Sequence, residues 1–316
     1  MIMAHRHILL LAAFILLGVS PQVNAAPPDA IFNCDKVPEV CANMCWATRC
    51  ASPKFPMILT YDKPSATVER ARRNSAGCGS KNKCVKGGKG VGRRGGIYDS
   101  CDEYPFAKTR QSTYPNGKQV SRCVPLAQNR SQGGTISTAV QRMQKAGKKI
   151  PFNMRIGFGN PGVKAAKWCN QQACKNDGWQ VQAGKISKRE EEPQFRYWKT
   201  ASGMVIATTY DIEPMSNFTR EADDVPTGAR LGSAGLLDTW TEDVEIEGEV
   251  PVPVTFISDV VEGEMTPEEI SEYLASASAD EGNDEGEIEA EGDWDQGDWD
   301  EEAEGPADDE VEAGKA

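Results

Sequence analysis

The chain has 316 residues and a formal net charge of −12, a length that fits one large domain or two small ones. The charge is unevenly distributed, because residues 27–189 contain 29 Lys and Arg against 9 Asp and Glu, whereas residues 190–316 contain 5 against 38. Both histidines, His5 and His7, lie at the extreme N-terminus. If that segment is removed, the mature protein has no histidine base, histidine zinc ligand or Ser-His-Asp triad.

The first 25 residues have the features of a secretory signal peptide. A weakly basic start leads into an apolar run from Ile8 to Val19, and Val23-Asn24-Ala25 follows as a small-residue cleavage pattern. The apolar run is too short to span a bilayer comfortably. We therefore predict that residues 1–25 are removed and that the mature protein is secreted, with no attachment to a membrane.

All ten cysteines lie in the basic segment, residues 27–189. An even, dense set in a secreted domain predicts a framework of disulfide bonds, although the sequence does not reveal their pairing. Zinc is the alternative, since Cys41-x3-Cys45 and Cys169-x4-Cys174 have loosely ligand-like spacing, but no Cys-x2-Cys pair and no mature histidine accompany them. The ten are Cys34, Cys41, Cys45, Cys50, Cys78, Cys84, Cys101, Cys123, Cys169 and Cys174.

Short apolar runs separated by Gly, Pro and Asn predict strands in the basic segment. The predicted strands cover residues 55–61, 97–107, 119–126 and 150–158. A turn is predicted at Tyr114-Pro115-Asn116-Gly117. A helix capped by Thr135 is predicted to follow, with an apolar face that begins at Ile136 and an end at Gly147. The resulting local order is strand, turn, strand, loop and helix.

The charge changes sign at Lys188-Arg189, which is either a dibasic processing site or a pair of exposed cations in a linker. We predict that residues 190–278 form an acidic, partly ordered appendage, with strands at 204–210 and 252–261. A helix is predicted after the capping box of Thr266-Pro267-Glu268-Glu269. Residues 279–316 consist mainly of Asp, Glu, Gly and Ala, and we predict a disordered acidic tail.

Asp102 and Glu103 are the only adjacent pair of carboxylates in the basic segment, and they lie toward the end of a predicted strand. Two neighbouring carboxylates in a positively charged domain can hold a divalent cation or act as a base. The alternative is an acidic surface pair that balances nearby Lys and Arg side chains.

The sequence around this pair resembles a known enzyme family. Its matching segments are Cys101-Asp102-Glu103-Tyr104-Pro105-Phe106-Ala107, Val124-Pro125, Asn129-Arg130 and Gln132-Gly133-Gly134. They resemble the secreted deoxyribonucleases of the NucA/NucB family, plausibly over residues 55–160. The resemblance implies a ββα-metal (His-Me finger-like) nuclease, with Asp in place of the catalytic His. Together with the cysteines and the acidic composition of the C-terminus, the predicted fold is an α+β, disulfide-stabilised nuclease domain followed by a disordered acidic tail.

The resemblance also implies roles for three residues. Asp102 matches the general base that deprotonates the attacking water, and Glu103 either orients that base or binds metal. Asn129 matches a metal-ligating Asn placed just before the helix. Because residues 132–147 contain no acidic second ligand, we expect a hydrated Mg²⁺ or Mn²⁺ held by one or two protein oxygens and the phosphate.

The net charge of +20 over residues 27–189 indicates a polyanionic substrate. Predicted phosphate contacts are Arg93, Arg94, Arg110 and Arg130, with Lys108, Arg142 and Lys145 as further cations near the motif. Asn129 also begins a glycosylation sequon, and a glycan there would exclude a metal. We favour the metal at Asn129 and place the glycan at the second sequon, Asn217-Phe218-Thr219.

The sequence therefore predicts a secreted, metal-dependent, largely nonspecific endonuclease that acts on extracellular DNA, with RNA as a possible second substrate. The alternative is a secreted cysteine-rich module that binds DNA or acidic glycans without cleaving them. The acidic tail is either an intramolecular inhibitor, released by cleavage after Arg189, or a segment that merely keeps a basic domain soluble.

Overall fold

A computed structural model describes residues 26–113, 119–187, 194–221, 239–244 and 252–279. The signal peptide, the predicted turn at 114–117, Lys188-Arg189 and the tail after residue 279 lie outside the described residues. The described helices are α1 (Pro38–Cys45), which continues as a π-helix (Trp46–Cys50), α2 (Ala66–Ser75), α3 (Leu126–Lys145) and α4 (Pro267–Ala279), and a 3-10 turn covers Arg110–Thr113. Among the described residues, no helix is long and apolar enough to cross a bilayer.

The described strands form two sheets. The strands are β1 (Ala30–Asn33), β2 (Ile58–Tyr61), β3 (Ser100–Tyr104), β4 (Val120–Val124), β5 (Phe152–Gly159), β6 (Val181–Gln182), β7 (Lys185–Ile186), β8 (Arg196–Thr200), β9 (Val205–Thr208), β10 (Asn217–Glu221), β11 (Thr239–Val244) and β12 (Val252–Glu264). The larger sheet has the order β1-β5-β9-β8-β12-β10, with β2 paired to β5 and β11 paired to β12. The smaller sheet has the order β3-β4-β6-β7. The fold is mixed α+β, as predicted.

All ten cysteines are paired in five disulfide bonds, which confirms the predicted framework and leaves no thiolate for zinc. The pairs are Cys34–Cys41, Cys45–Cys169, Cys50–Cys174, Cys78–Cys101 and Cys84–Cys123. Two of them join the N-terminal helix to the segment that precedes β6. Two others attach the Lys- and Gly-rich loop between α2 and β3 to the β3–β4 hairpin.

The predicted order of strand, strand and helix is present as β3, β4 and α3, but the helix begins earlier than expected. The sequence predicts a cap at Thr135, on the apolar spacing that begins at Ile136. In the structure α3 starts at Leu126, directly after Pro125, and continues through both glycines. Buried contacts with β1, β3 and α1 stabilise the helix despite its low intrinsic propensity there.

The ends of two helices follow local sequence signals. Gly147 lies just beyond α3 with a φ of +82°, and Lys148 N donates to the Met143 carbonyl at 3.0 Å, as expected for a glycine C-cap. At the start of α4, Glu269 N donates to Thr266 Oγ1 at 3.2 Å and Thr266 N donates to Glu269 Oε2 at 2.8 Å. The predicted capping box is therefore confirmed.

The acidic region after residue 190 is continuous with the basic segment. β9 pairs with β5 through Phe158–Ala207 and Gly159–Ile206, so that strands from both sides of the charge boundary share one sheet. Arg142 of α3 donates to the Thr219 carbonyl at 2.8 Å, and Lys145 pairs with Glu242. The change of charge near residue 189 consequently does not coincide with a boundary in the fold.

The last described helix packs against the loop that follows β5. Gly162 N donates to the Tyr273 hydroxyl at 3.0 Å, and a Cβ atom at Gly162 would lie 2.8 Å from Ala277 and 2.9 Å from the Tyr273 ring. A glycine is therefore required where α4 approaches this loop.

We predict that Gly162→Ala lowers the free energy of unfolding by about 1–3 kcal/mol, the usual cost of overpacking a close contact. Gly263→Ala is the matched control, because a Cβ atom there meets no atom within 4 Å, and a change below about 0.5 kcal/mol is expected. Urea unfolding of the full chain measures both values. Equal stability of the two variants would contradict the docking of α4.

Candidate active site

A cleft of about 650 Å³ lies between the β3 strand, the start of α3 and the end of α2. β3 and β4 are antiparallel, and Pro125 is the single residue between β4 and α3. Asn129 and Gln132 are three residues apart on α3, which places them on one face of the helix. Side chains that line the cleft include Glu69, Arg73, Glu103, Asn129, Arg130 and Gln132.

The two adjacent carboxylates point in opposite directions, because neighbouring side chains alternate across a strand. Glu103 lines the cleft; its Oε1 accepts from Ala107 N at 3.4 Å and lies 4.0 Å from Arg73 Nε. Asp102 is 1% exposed and faces the N-terminal helix α1. There, Asn43 Nδ2 donates to Asp102 Oδ2 at 2.9 Å and to its carbonyl at 3.3 Å.

Burial changes the protonation of both carboxylates. It raises the pKa of Asp102 to about 6, and the neighbouring amides of Asn43 and Gln132 oppose the rise. Burial, and then the charge of Asp102, raise the pKa of Glu103 to about 8, with the Arg73 guanidinium acting in the opposite direction. A nearby cation stabilises the ionised form of such a pair.

Asn129 lies within the first turn of α3, and not before the helix as we had predicted. Its Nδ2 donates to Ser100 Oγ at 2.7 Å and to the Cys101 carbonyl at 3.3 Å. These two bonds occupy the amide nitrogen, whereas no hydrogen bond to Oδ1 is found within the described residues, and the side chain lines the cleft. Since Nδ2 is the atom that a glycan would modify, this arrangement favours an oxygen ligand over a glycan at Asn129, whereas Asn217 is exposed.

The residues fit a hard divalent cation, although they do not surround one. Glu103 and Asn129 both line the cleft and offer oxygen atoms, the ligand type that Mg²⁺ and Mn²⁺ prefer. Within the described parts of the chain, no group of three or more His, Cys, Asp or Glu side chains is placed to hold a metal. The remaining ligands would have to be water and phosphate.

Gln132 is a candidate site residue to which we had assigned no role. It is 5% exposed and lines the cleft, and its Nε2 lies close enough to Asp102 to lower the pKa of that carboxyl, yet it makes no hydrogen bond of ordinary length and angle within the described residues. A buried donor without a partner is costly, and it indicates a ligand or water. The available signal was its place in the motif beside Gly133-Gly134, but the predicted helix start at Thr135 obscured it.

The predicted phosphate contacts divide into exposed and buried side chains. Arg130 is exposed and lines the cleft, while Arg93 and Arg110 are exposed nearby in sequence. Arg94 is different: its Nη1 lies 2.6 Å from Glu39 Oε2, and its guanidinium lies 3.4 Å from the Tyr98 ring centroid. A phosphate would have to displace these partners, so we remove Arg94 from the predicted contacts.

Two further cations near the motif are also engaged within the protein. The Arg142 and Lys145 side chains contact Thr219 and Glu242 of the acidic region. Lys145 is nevertheless exposed, so its role as a phosphate contact stays a prediction. The exposed cations Lys81, Lys86 and Lys89 lie instead on the disulfide-bonded loop between α2 and β3. Asn82 and Val85 of this loop line the cleft, so the loop forms one of its sides.

Comparison with protein families identifies the segment that carries this cleft. A family model described as deoxyribonuclease NucA/NucB matches residues 44–152. Residues 44–152 are a NucA/NucB deoxyribonuclease domain. The domain includes Asp102, Glu103, Asn129 and Gln132, so the carboxylate pair and the helix that faces it belong to a DNA-hydrolysing enzyme. The alternative of binding without catalysis is therefore not supported. No curated protein and no solved structure matches the chain in the same comparisons.

We predict that Asn129→Ala raises the Mg²⁺ or Mn²⁺ concentration that gives half-maximal activity by about tenfold, because an oxygen ligand is lost. Plasmid nicking across a metal titration measures this value. Asn217→Gln is the control, since it removes the second sequon without touching the cleft, and an unchanged metal titration is expected. If Asn129→Ala altered only the glycosylation of the protein, our metal assignment would be wrong.

Proposed function

We propose that the NucA/NucB domain makes this chain a secreted, metal-dependent and largely sequence-nonspecific endonuclease of extracellular DNA. The observation that carries the proposal is the cleft in which Glu103, Asn129 and Gln132 meet beside the exposed Arg130. The five disulfide bonds support an oxidising compartment. The predicted signal peptide, which lies outside the described residues, agrees with secretion.

The protein oxygens available for Mg²⁺ or Mn²⁺ are the Glu103 carboxylate and Asn129 Oδ1. A bound cation would stabilise the charge that develops on the scissile phosphate. Arg73 lies close enough to influence Glu103, because its Nε is 4.0 Å from the carboxylate. The hydrogen bonds from Asn129 to Ser100 and Cys101 hold the amide oxygen in place before any ligand arrives.

Asp102 supplies the general base in this proposal, and Gln132 positions the water that acts as the nucleophile. Gln132 lines the cleft, and its Nε2 lies near Asp102 without forming a hydrogen bond of ordinary geometry to it. A water that accepts from this nitrogen would be placed to give its proton to Asp102. Asp102 therefore serves as the general base from behind the cleft surface, while Glu103 meets the cation. We therefore interpret β3, β4 and α3 as a ββα-metal unit, in which Asp102 is the base and Glu103 is a metal ligand.

Low sequence specificity follows from the groups that are available to meet the nucleic acid. Arg130 and the lysines of the disulfide-bonded loop are exposed and can bind phosphates. Phosphate contacts carry no sequence information. RNA has the same phosphate groups. Nicking rates on plasmid DNA and on a structured RNA substrate would therefore determine which nucleic acid the enzyme prefers.

We predict that Asp102→Asn lowers kcat for plasmid nicking by about 10²–10⁴-fold, because a general base is lost. DNA affinity and the metal requirement are expected to remain within about threefold, since the phosphate contacts and the metal ligands are unchanged. Initial rates with Mg²⁺ or Mn²⁺, with and without chelator, together with a filter-binding affinity, provide the measurements.

Two carboxylate variants complete this test. Glu103→Gln is expected to shift the metal titration as well as the rate. Glu69→Gln, a carboxylate in the same cleft with no assigned role, is expected to stay within about threefold of the wild type. If Asp102→Asn nicked plasmid at a rate within a few-fold of the wild type, Asp102 would not be the general base and Glu103 would take its place in the mechanism.

We also propose that the acidic tail acts on the nuclease as a tethered competitor of DNA. The tail after residue 279 lies outside the described residues, but its composition combines carboxylates with Trp294 and Trp299, which can imitate phosphates and stacked bases. Cleavage after Arg189 would not by itself release it, because β9 beyond that point pairs with β5. The alternative remains a solubilising tail.

We predict that a full-length variant with Asn and Gln in place of every Asp and Glu in residues 280–316 nicks plasmid faster than the wild type at low salt. The difference should narrow at 0.3 M salt, where the Debye length falls to roughly 6 Å. The control is the same pair of proteins with a short uncharged substrate analogue. If the variant and the wild type nicked plasmid at equal rates at both salt concentrations, the tail would not be an inhibitor and its role would be to keep the protein soluble.

A further inference from the structure

A continuous chain of hydrogen bonds connects Asp102 to the buried guanidinium of Arg122. Arg122 Nη1 donates to Gln180 Oε1 at 3.1 Å, Gln180 Nε2 donates to Asn43 Oδ1 at 2.5 Å, and Asn43 Nδ2 donates to Asp102 Oδ2 at 2.9 Å. Asn43, Gln180 and Arg122 are each 0% exposed. The chain is thus enclosed on the side of β3 that faces away from the cleft.

The direction of these bonds is the same at every step. Each amide receives a hydrogen bond at its oxygen and donates one from its nitrogen, so the positive end of every dipole points toward the carboxylate. Such aligned bonds polarise and strengthen one another in a low-dielectric interior. They hold Asp102 Oδ2 in one orientation, which leaves the other carboxylate oxygen as the one that can face Gln132.

Arg122 is itself held in place and is not a DNA contact. Its Nε lies 2.7 Å from Glu39 Oε2 and its Nη2 lies 2.8 Å from Asp177 Oδ2. The Asp177 carboxylate has its pKa lowered to about 2, mainly because the hydrogen bond and charge of Arg122 outweigh its burial. The start of the hydrogen-bond chain is therefore anchored by two carboxylates from different segments.

Asn43 lies one residue before the segment that the family model matches, in helix α1, and Gln180 lies well beyond that segment. Two disulfide bonds, Cys45–Cys169 and Cys50–Cys174, join their segments. Asn43 is two residues from Cys45, and Gln180 is six residues beyond Cys174. The flanking segments of this chain therefore contribute directly to the surroundings of Asp102.

We propose that Asn43 and Gln180 are positioning residues that hold the Asp102 carboxylate for catalysis, which makes the disulfide-bonded flanks a functional extension of the nuclease domain. The inference rests on the proposed function, because it assumes that Asp102 is the base. It adds two residues, one before and one after the domain, that act through Asp102 and touch neither DNA nor metal.

Asn43→Ala and Gln180→Glu in the full chain test this role. Glu at position 180 keeps an oxygen for Arg122 but removes the donor to Asn43, so it interrupts the chain while preserving the buried cation's partner. Each variant is expected to lower kcat by about 10–100-fold, the range for a misplaced catalytic group, with the plasmid KM unchanged within about threefold. Thr48→Val is the control, because buried Thr48 bonds only to the carbonyls of its own helix.

The same two substitutions in an Asp102→Asn background separate positioning from general damage. If they act through Asp102, they cause no further loss of kcat in that background, whereas structural damage would lower the residual rate again. The thermal midpoint of each variant reports on folding. If Asn43→Ala does not fold, the kcat of Gln180→Glu in the two backgrounds tests the positioning role by itself.

The two hypotheses fail in different ways. Full activity of Asp102→Asn would overturn the assignment of the base and, with it, the positioning role. A large loss in Asp102→Asn with an unchanged kcat in Asn43→Ala and Gln180→Glu would overturn the positioning role alone. The same conclusion would follow if Thr48→Val lowered kcat as much as Asn43→Ala does.

Discussion

The burial of the Arg122 guanidinium is the constraint around which the nuclease half of this protein is organised. A buried charge without partners is severely destabilising, and removal of one partner typically costs about 3–5 kcal/mol. Glu39 comes to it from α1, Asp177 and Gln180 come from the segment after the disulfide-bonded cysteines, and the Trp168 ring centroid lies 5.6 Å away. Strand β4, the N-terminal helix and the segment before β6 are therefore held in one arrangement.

That arrangement gives strand β3 two different sides. On one side, Glu103 lines the cleft together with Asn129, the exposed Arg130 and part of the lysine-rich loop. On the other side, Asp102 is enclosed by amides that lead back to Arg122. Alternation along β3 therefore gives two adjacent residues different surroundings, Glu103 in the cleft and Asp102 buried in one orientation among amide side chains.

The acidic half of the chain contributes structure as well as charge. Its strands complete the sheet that begins with β1 and β5, and Arg142 of α3 reaches its backbone while stacking 5.8 Å from Phe256. Arg142 and Lys145, which the sequence suggested as phosphate contacts, thus bind the acidic half of the chain to helix α3. Arg130 and the lysines of the disulfide-bonded loop remain exposed at or near the cleft, and the change in charge along the sequence does not mark a boundary in the fold.

The sequence by itself determined the features that depend on neighbouring residues: the disulfide-rich character, the Asp102-Glu103 and Asn129 motif, the glycine end of α3 and the capping box at Thr266. Their physical causes act over a few residues, and local patterns report them reliably. Only the tertiary structure decided which cysteines pair, that α3 passes through Gly133-Gly134, that Arg94 binds Glu39, and that Asn43 and Gln180 meet behind Asp102. These features depend on burial and on contacts between residues distant in sequence, such as Asn43 and Gln180, whose energies no local pattern contains.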